Sequence, residues 1–303
     1  MRFQIGLDAI ASYRRLSYTP WHALAEFVDN STQSYFDHRE VLDASFLGSP
    51  TGFEVSIVYD RDADKLTISD NAAGMDENEL AEALKIANHP PKDGGRSKYG
   101  MGMKTAACWF GNKWKIRTKR IGQTKELTVT IDVQKIASGD ADLNPVVVDT
   151  GNPDTHYTDV EIESLHRKFN GRTLGKIKEF MASMYRSDLR TNTLSLFWQG
   201  TELVWSDLDD AVLKAADGKP YKKPFEFEVG GLPVHGWVAV LDSGSRRLAG
   251  FSIMQNDRVI KGFPDSWRPE RLYGQEGGSN DMVNQRLVGE FTLTDSRSRR
   301  PKT

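Results

Sequence analysis

The segment from Ala23 to Ser31 constrains the fold of this chain more than any other stretch of its sequence. Its apolar residues recur with the spacing of an α-helix, which predicts a helix here. Glu26 and Asn30 lie four residues apart and therefore project from the same side of that helix. A carboxylate and an amide oxygen one turn apart could hold a water molecule and a metal ion together.

Two later segments carry further patterns. Residues 66–75 indicate a strand that runs into a turn, with Asp70 at the end of the strand and Gly74 in the turn. Residues 94–105 indicate a glycine-rich loop that opens a helix. The spacing of that loop differs from a Walker A sequence, and no acidic residue follows it at the distance of a dinucleotide-binding fingerprint.

These residue types suit the hydrolysis of a nucleoside triphosphate. That reaction needs a group that orients or deprotonates water, a magnesium ion, donors around the phosphates and a pocket for the base. Glu26 is the candidate general base, and Asn30 offers a neutral oxygen to magnesium. Asp70 could accept a hydrogen bond from an exocyclic amine, which would select adenine over guanine. Gly74 lets the backbone approach the base closely.

The glycine-rich loop supplies the predicted phosphate donors. Gly95, Gly100 and Gly102 would let backbone amides wrap the phosphates, and the following helix would point its positive end at their charge. Lys104 would add a full positive charge in the first turn of that helix. Each pattern by itself is more typical of a solvated helix face, a hairpin turn or an ordinary loop. The three patterns in this order favour a nucleotide site.

Composition limits the classes of protein to consider. The chain has 303 residues, more than a single core usually fills, so we expect two domains. The sequence shows neither an apolar run that could cross a bilayer nor the pattern of a signal peptide, so we expect a cytoplasmic protein without a membrane partner. The net charge of -2 gives no global attraction for nucleic acid, and the basic residues 297–302 are interpreted as a solvated tail. The single cysteine, Cys108, excludes an internal disulfide and a cysteine-rich zinc site, and the six histidines show no metal-ligand spacing, so the magnesium of the nucleotide site is the only metal expected.

Periodicity along the chain predicts an α+β fold in two parts. Residues 8–47 are rich in helix patterns. The predicted strands that follow cover residues 54–60, 65–70, 113–119, 126–132 and 159–163, which gives a layer of helices over a mixed or antiparallel sheet. From about residue 170 the pattern restarts. A helix is predicted over residues 171–185, a hairpin around Gln199 and Gly200, and strands over residues 225–229, 236–241 and 250–254.

The three segments together resemble the nucleotide-binding site of the GHKL ATPases, the superfamily of gyrase, heat-shock chaperones, histidine kinases and MutL. The resemblance implies that Glu26 activates water and that Asn30 binds magnesium. It aligns residues 70–74 with an Asp-x-Gly-x-Gly motif in which Ala72 replaces the first glycine. A family threonine that reaches adenine through water corresponds to Thr158. The residues implied to bind ATP and Mg²⁺ are Asn30, Asp70, Gly74, Met75, Gly100, Met101, Gly102, Met103, Lys104, Thr105 and Thr158.

The same resemblance implies a fold. It predicts a Bergerat-type two-layer α/β sandwich ATPase domain in residues 1–168. A smaller ribosomal-S5-like α+β transducer domain follows in residues 169–303, and its C-terminal end could be truncated. The lid motif looks most like the MORC form, and residues 250–261 and 288–293 resemble strands of the MORC transducer, which sends a lysine to the γ-phosphate. Lys302 lies in the region expected for this catalytic lysine, although a structural lysine at the terminus is an equal alternative.

The leading hypothesis is therefore a MORC-like or chaperone-like ATPase. ATP would order a lid around residues 88–103, drive formation of a homodimer and be hydrolysed slowly, with Met1 to Pro20 as a strap that crosses to the partner. Two alternatives remain open. One is a non-hydrolysing ATP-binding scaffold. The other is an ATPase subunit of the DNA-repair or topoisomerase type, which would add DNA or a protein client to the partners.

Overall fold

The computed structural model describes residues 13–85, 96, 102–138, 143–206, 208–274 and 282–293. The chain divides into two compact units. The first comprises Met1–Lys178 and Thr193–Leu203, and the second comprises Glu179–Asn192 and Val204–Thr303. The domain boundary expected after residue 168 remains a prediction. Within the ranges described, none of the helices is long and apolar enough to cross a membrane.

A large sheet is the main element of the first unit. Its strands, among the described residues, are β1 (Glu54–Asp60), β2 (Lys65–Asp70), β3 (Gly111–Lys119), β4 (Lys125–Asp132), β5 (Val146–Asp149), β6 (Tyr157–Leu165), β7 (Ser195–Trp198) and β8 (Thr201–Glu202). They lie in the order β5-β4-β3-β6-β2-β1-β7-β8. Neighbouring strands are antiparallel, except that β1 and β7 are parallel. The sheet is therefore mixed, as the sequence predicts.

Helices precede and interrupt these strands. They are α1 (Pro20–Asp37), α2 (Arg39–Ser45), α3 (Glu77–Leu84), α4 (Gly102–Phe110), α5 (Val133–Ala137), α6 (Gly171–Met184) and α7 (Arg186–Arg190). Pro20 opens α1, where a missing N–H costs nothing. The apolar stripe of α1 is buried, and its Phe27 ring lies 6.4 Å from the ring of Phe110 in α4. These two helices therefore pack against each other.

The two faces of the sheet differ in character. Ile57 and Leu66 are fully buried on one face, and Ile68 of β2 lines a cavity together with Phe27 of α1. Other strand positions carry charge, for example Glu161, whose carboxylate oxygens lie 2.9 Å from Lys65 Nζ and 2.6 Å from Lys115 Nζ. An apolar face under helices and a charged outer face make a two-layer α+β arrangement. The predicted α+β fold class is confirmed.

The hairpin predicted around Gln199 and Gly200 is confirmed, and both residues have positive φ, at 51° and 72°. Positive φ at the two central residues is the geometry that two-residue hairpins favour. The hairpin strands extend the first sheet, because β7 pairs in parallel with β1 from Glu54 opposite Ser195 to Ile57 opposite Trp198. This pairing joins residues far apart in sequence, so no local pattern could reveal it.

The second unit has its own sheet. Its described strands are β9 (Lys222–Val229), β10 (Leu232–Val240), β11 (Gly250–Gln255), β12 (Arg258–Lys261) and β13 (Leu287–Leu293), and its further helices are α8 (Glu270–Tyr273) and α9 (Met282–Arg286). The strands lie in the order β12-β11-β13-β10-β9, with β11 and β13 parallel. A buried cluster on this sheet consists of Leu208, Val212, Ala239, Leu241 and Val288.

A buried ion cluster joins α7 to β13 in the second unit. Glu290 accepts a hydrogen bond of 3.0 Å from Arg186 Nη1 and one of 2.9 Å from Arg190 Nη1. Burial acts to raise the pKa of Glu290, but the two guanidinium groups outweigh it and hold that pKa below its usual range. The Arg186 guanidinium also lies 4.5 Å from the centre of the Trp205 ring. Each buried charge in this cluster therefore has a partner.

Candidate functional site

Helix α1 holds Glu26 and Asn30 one turn apart, and both residues are half-buried. Asn30 Nδ2 donates a hydrogen bond of 2.7 Å to the backbone carbonyl of Glu26. That bond uses the donor side of the amide and leaves its Oδ1 as an acceptor. An amide oxygen oriented in this way suits a magnesium ion, which takes oxygen ligands.

Asp70 ends β2 and is held by donors on both carboxylate oxygens. Its Oδ2 accepts a bond of 2.6 Å from Ser31 Oγ, and its Oδ1 accepts one of 3.0 Å from the backbone N–H of Ala72. Burial raises the pKa of Asp70 to about 6, and these hydrogen bonds limit the rise because they favour the charged form. At neutral pH the group is therefore a buried, ionised acceptor.

Gly74 occupies a position that only glycine fits. Its φ is +65°, in the left-handed region, and a Cβ there would collide with the backbone carbonyl of Lys119 on β3. The neighbouring Met75 donates its backbone N–H to Thr118 Oγ1 at 2.9 Å. The turn after β2 is therefore pressed directly against β3. Ala72, where the resemblance expected a glycine, is buried in this turn without positive φ.

Thr158 of β6 lies opposite Asp70 in the antiparallel pairing of β2 and β6. Its backbone helps to limit the rise in the pKa of Asp70. Its hydroxyl oxygen lies 3.0 Å from that of Thr118 on β3. Two residues that the sequence singled out from segments far apart are thus direct neighbours.

A cavity of about 190 Å³ opens between α1 and the sheet. Apolar side chains form much of its wall, and polar groups gather around Asp70. The lining residues are Phe27, Asn30, Ser31, Ser34, Ile68, Asp70, Gly74, Met75, Ala83, Met103, Thr158 and Val160. Apolar walls with a few oriented polar groups are typical of a site for a small molecule.

Glu26 lies outside the lining of this cavity, where α1 meets the start of α4. Its Oε1 accepts a bond of 3.4 Å from the hydroxyl of Tyr18, which also lies 3.4 Å from Thr105 Oγ1. A Cβ at Gly102 would collide with Glu26 Oε2. The glycine at the start of α4 therefore lets the carboxylate of Glu26 approach the helix backbone.

Lys104 is oriented differently from the sequence-based expectation of a charge for phosphate. Its ammonium donates hydrogen bonds to the backbone carbonyls of Ala83 at 2.7 Å and Lys85 at 2.6 Å, at the end of α3. Burial lowers the pKa of Lys104 to about 8. In this conformation Lys104 satisfies carbonyls that a helix terminus leaves without partners. Its phosphate contact remains a prediction.

The other expected site residues lie at the start of α4 or outside the described part of the chain. Thr105 donates its hydroxyl to the Gly102 carbonyl at 2.9 Å. Gly95, Gly100, Met101 and Lys302 lie outside the described residues. Within the described ranges, no group of three or more His, Cys, Asp or Glu side chains could hold a metal ion.

Sequence reasoning passed over Ser31, Ser34 and Thr118. Ser34 follows Asn30 by four residues, so the helical spacing that relates Glu26 to Asn30 could have identified it. Ser31 and Thr118 are recognisable only from their partners Asp70 and Thr158. The first contact depends on the packing of α1 against β2 and the second on the pairing of β3 with β6, and local sequence patterns show neither.

Nearly all of the residues that line the cavity lie within a region that matches a known family. Residues 18–158 match a family described as "Histidine kinase-, DNA gyrase B-, and HSP90-like ATPase". No curated protein matches the chain. The matched region begins at Tyr18, which contacts Glu26, and ends at Thr158, which lies opposite Asp70. Residues 18–158 are therefore similar in sequence to the ATPase domains of the GHKL superfamily, the histidine kinase, DNA gyrase B and HSP90 type.

Proposed function

We propose that this domain binds ATP with its base in the cavity beside Asp70 and hydrolyses it slowly. The observation that carries the proposal is that one cavity brings together Asn30, Asp70, Gly74 and Thr158. These residues come from a helix, a strand, a turn and a second strand. The similarity of residues 18–158 to an ATPase superfamily supports the same reading.

The proposed adenine contact is a hydrogen bond from the exocyclic amine to the carboxylate of Asp70. The carboxylate is ionised at neutral pH and lines the cavity. Ile68, Met75 and Val160 supply apolar surface for the faces of the ring. Gly74 lines the cavity, and its missing side chain lets the turn beside the base lie against β3.

Magnesium would be held by Asn30 Oδ1 together with phosphate oxygens and water. The fit rests on the chemistry of this group, because its Nδ2 is engaged by the Glu26 carbonyl and its neutral oxygen is left for a cation. When bound, magnesium would neutralise charge on the transferred phosphoryl group. Asn30 would therefore orient the ion and contribute little charge itself.

Glu26 is the proposed general base. The oxygen of a water molecule would bond to the γ-phosphorus as the bond to the β–γ bridging oxygen breaks, and the water proton would pass to the Glu26 carboxylate. The Tyr18 hydroxyl, 3.4 Å from Glu26 Oε1, would help to orient that carboxylate. The products are ADP and phosphate.

The Glu26→Gln variant tests this assignment. We expect loss of more than about 100-fold in turnover with nucleotide affinity changed less than about threefold, because a general base contributes to the chemical step and not to binding. The measurements are steady-state phosphate release and equilibrium ADP binding. Glu40→Gln, at an exposed glutamate in α2, is the matched control and should keep wild-type turnover. Binding without turnover in the wild type would contradict hydrolysis and favour the scaffold alternative.

We further propose that the chain acts as a molecular clamp that closes when nucleotide binds. In it, ATP drives dimerisation of N-terminal regions in a MORC-like or chaperone-like manner, and residues 169–303 act as an S5-like transducer whose sensor lysine is Lys302. The five-stranded sheet in the described part of the second unit is compatible with a separate α+β domain of this kind. Similarity of residues 250–261 to the MORC transducer supports it.

Size-exclusion chromatography with light scattering tests the clamp. We expect the mass of the wild-type protein to double on addition of magnesium and a non-hydrolysable ATP analogue, because nucleotide would complete the dimer surface. ADP serves as the control ligand and should leave the protein monomeric. Saturated nucleotide binding with no change in mass would contradict dimerisation of this chain.

A further inference from the structure

Thr118 connects two parts of the candidate site without lining the cavity. Its side chain is fully buried, with 0% of its surface exposed. Its Oγ1 accepts a bond of 2.9 Å from the backbone N–H of Met75 and donates one of 3.1 Å to the backbone carbonyl of Tyr157. A third neighbour, Thr158 Oγ1, lies 3.0 Å away.

The number of protons available fixes the direction of that third bond. A threonine hydroxyl carries one proton, and a backbone carbonyl can only accept. In the arrangement that satisfies all three contacts at once, Thr118 gives its proton to the Tyr157 carbonyl and Thr158 is the donor in the pair of hydroxyls. The Thr158 proton is thereby turned toward Thr118. What Thr158 offers to the cavity is a pair of oxygen lone pairs.

Ser31 and Asp70, which line the cavity together with Thr158, also present hydrogen-bond acceptors to it. Ser31 Oγ lies 2.6 Å from Asp70 Oδ2 and 3.1 Å from the Phe27 carbonyl oxygen, so its one proton is given to one of these two acceptors inside the protein. The ionised Asp70 carboxylate is an acceptor only. Ser31, Asp70 and Thr158 all line the cavity. Together they form a wall of acceptors with no side-chain donor facing a ligand.

We propose that Thr118 is a positioning residue for base specificity, which it sets by keeping the Thr158 hydroxyl as an acceptor toward the bound base. This inference rests on the proposed adenine nucleotide site. An exocyclic amine, with two N–H groups, satisfies a wall of acceptors. A carbonyl at the same ring position faces lone pairs and stays unpaired, which is costly in a buried site.

The test compares ADP with IDP, which has a carbonyl in place of the exocyclic amine and cannot be turned over as a triphosphate. Both dissociation constants are measured by isothermal titration calorimetry with magnesium, and the quantity of interest is the ratio of the IDP value to the ADP value. In Thr118→Val the Thr158 proton is released and can turn into the cavity. We expect the ratio to fall about fivefold to tenfold, as one gained hydrogen bond to the carbonyl would give. Thr118→Ser keeps a hydroxyl and should keep the wild-type ratio.

A double variant isolates the mechanism. In Thr158→Val there is no hydroxyl to turn, so adding Thr118→Val to it should leave the ratio unchanged. Equal weakening of ADP and IDP in Thr118→Val would show a purely structural role and overturn the inference. If Thr118→Val fails to fold, Thr118→Ala carries the same prediction with a smaller side chain. Failure of the wild type to bind either nucleotide would overturn the proposed function itself, so the two failures are distinguishable.

Discussion

At the scale of single residues, the proposed contact with the base depends on the carboxylate of Asp70. Its carboxylate accepts from the Ser31 hydroxyl and from the backbone N–H of Ala72, and Thr158 lies opposite it in the strand pairing. Because burial raises its pKa from 3.8 to about 6, the protonated form is the one that stabilises the fold. That contribution is complete below the ordinary pKa and is lost as the pH rises through the folded-state pKa. A ligand that donates to the carboxylate offsets this loss.

Adenosine binding should therefore depend on pH. Affinity should rise as the pH increases from about 5 to 7, with a midpoint near the Asp70 pKa of about 6, because the ionised carboxylate is the form that accepts from the adenine amine. Adenosine is the right probe because it carries no phosphate that titrates in this range. Thermal shift at fixed adenosine concentration, corrected for the shift of the free protein with pH, gives the profile. A flat profile would contradict the adenine contact at Asp70.

At the scale of elements, the turn after β2 depends on its close approach to β3. Gly74 has both a positive φ and a neighbouring carbonyl that would collide with a Cβ. The next residue, Met75, is held to the same strand because its backbone N–H donates a hydrogen bond of 2.9 Å to Thr118 Oγ1. The conformation of the turn is therefore fixed by the sheet and not by the turn sequence alone.

Alanine substitutions at Gly74 and at Gly48 should separate the cost of the positive φ from the cost of the collision with β3. Gly48 has a φ of +83° but no atom within 4 Å of a Cβ, so Gly48→Ala measures the backbone cost alone, about 1 to 2 kcal/mol. Gly74→Ala adds the collision with Lys119, and we expect it to lower the free energy of unfolding by at least about 2 kcal/mol more. Urea unfolding of both variants gives the comparison. Equal losses would show that β3 yields and that the close approach is not required.

Local sequence patterns were sufficient to predict several helices and hairpins, but they did not show which elements contact one another. The apolar spacing of residues 23–31 predicted α1, and the Gln199–Gly200 pair predicted a hairpin, since both signals are contained in a few consecutive residues. The pairing of β7 with β1 and the contact between Thr118 and Thr158 depend on long-range strand register. The orientation of Lys104 toward the end of α3 depends on tertiary packing, and residue type alone did not reveal it.

At the scale of the whole molecule, the matched ATPase region lies within the first compact unit. Its span of residues 18–158 contains α1, the turn after β2, and the Asp70 and Thr158 pair that faces the cavity. The order of motifs along the chain made the superfamily predictable from sequence. The second unit has its own sheet and buried ion cluster, and its transducer role stays a prediction because no sequence motif there is as specific as those around Glu26 and Asp70.

The central claim is that the cavity beside Asp70 binds an adenine nucleotide. Calorimetric titration of the wild type, Asp70→Asn and Asp159→Asn with magnesium and a non-hydrolysable ATP analogue tests it most directly. Asp159 follows Thr158 in β6 but pairs with Arg117 at 2.6 Å, so its variant is a matched control for loss of a carboxylate. We predict equal affinity for the wild type and Asp159→Asn, and binding at least about tenfold weaker for Asp70→Asn, because a hydrogen bond to a charged group is lost. Equal affinity in all three proteins, or no binding by the wild type, would contradict the account.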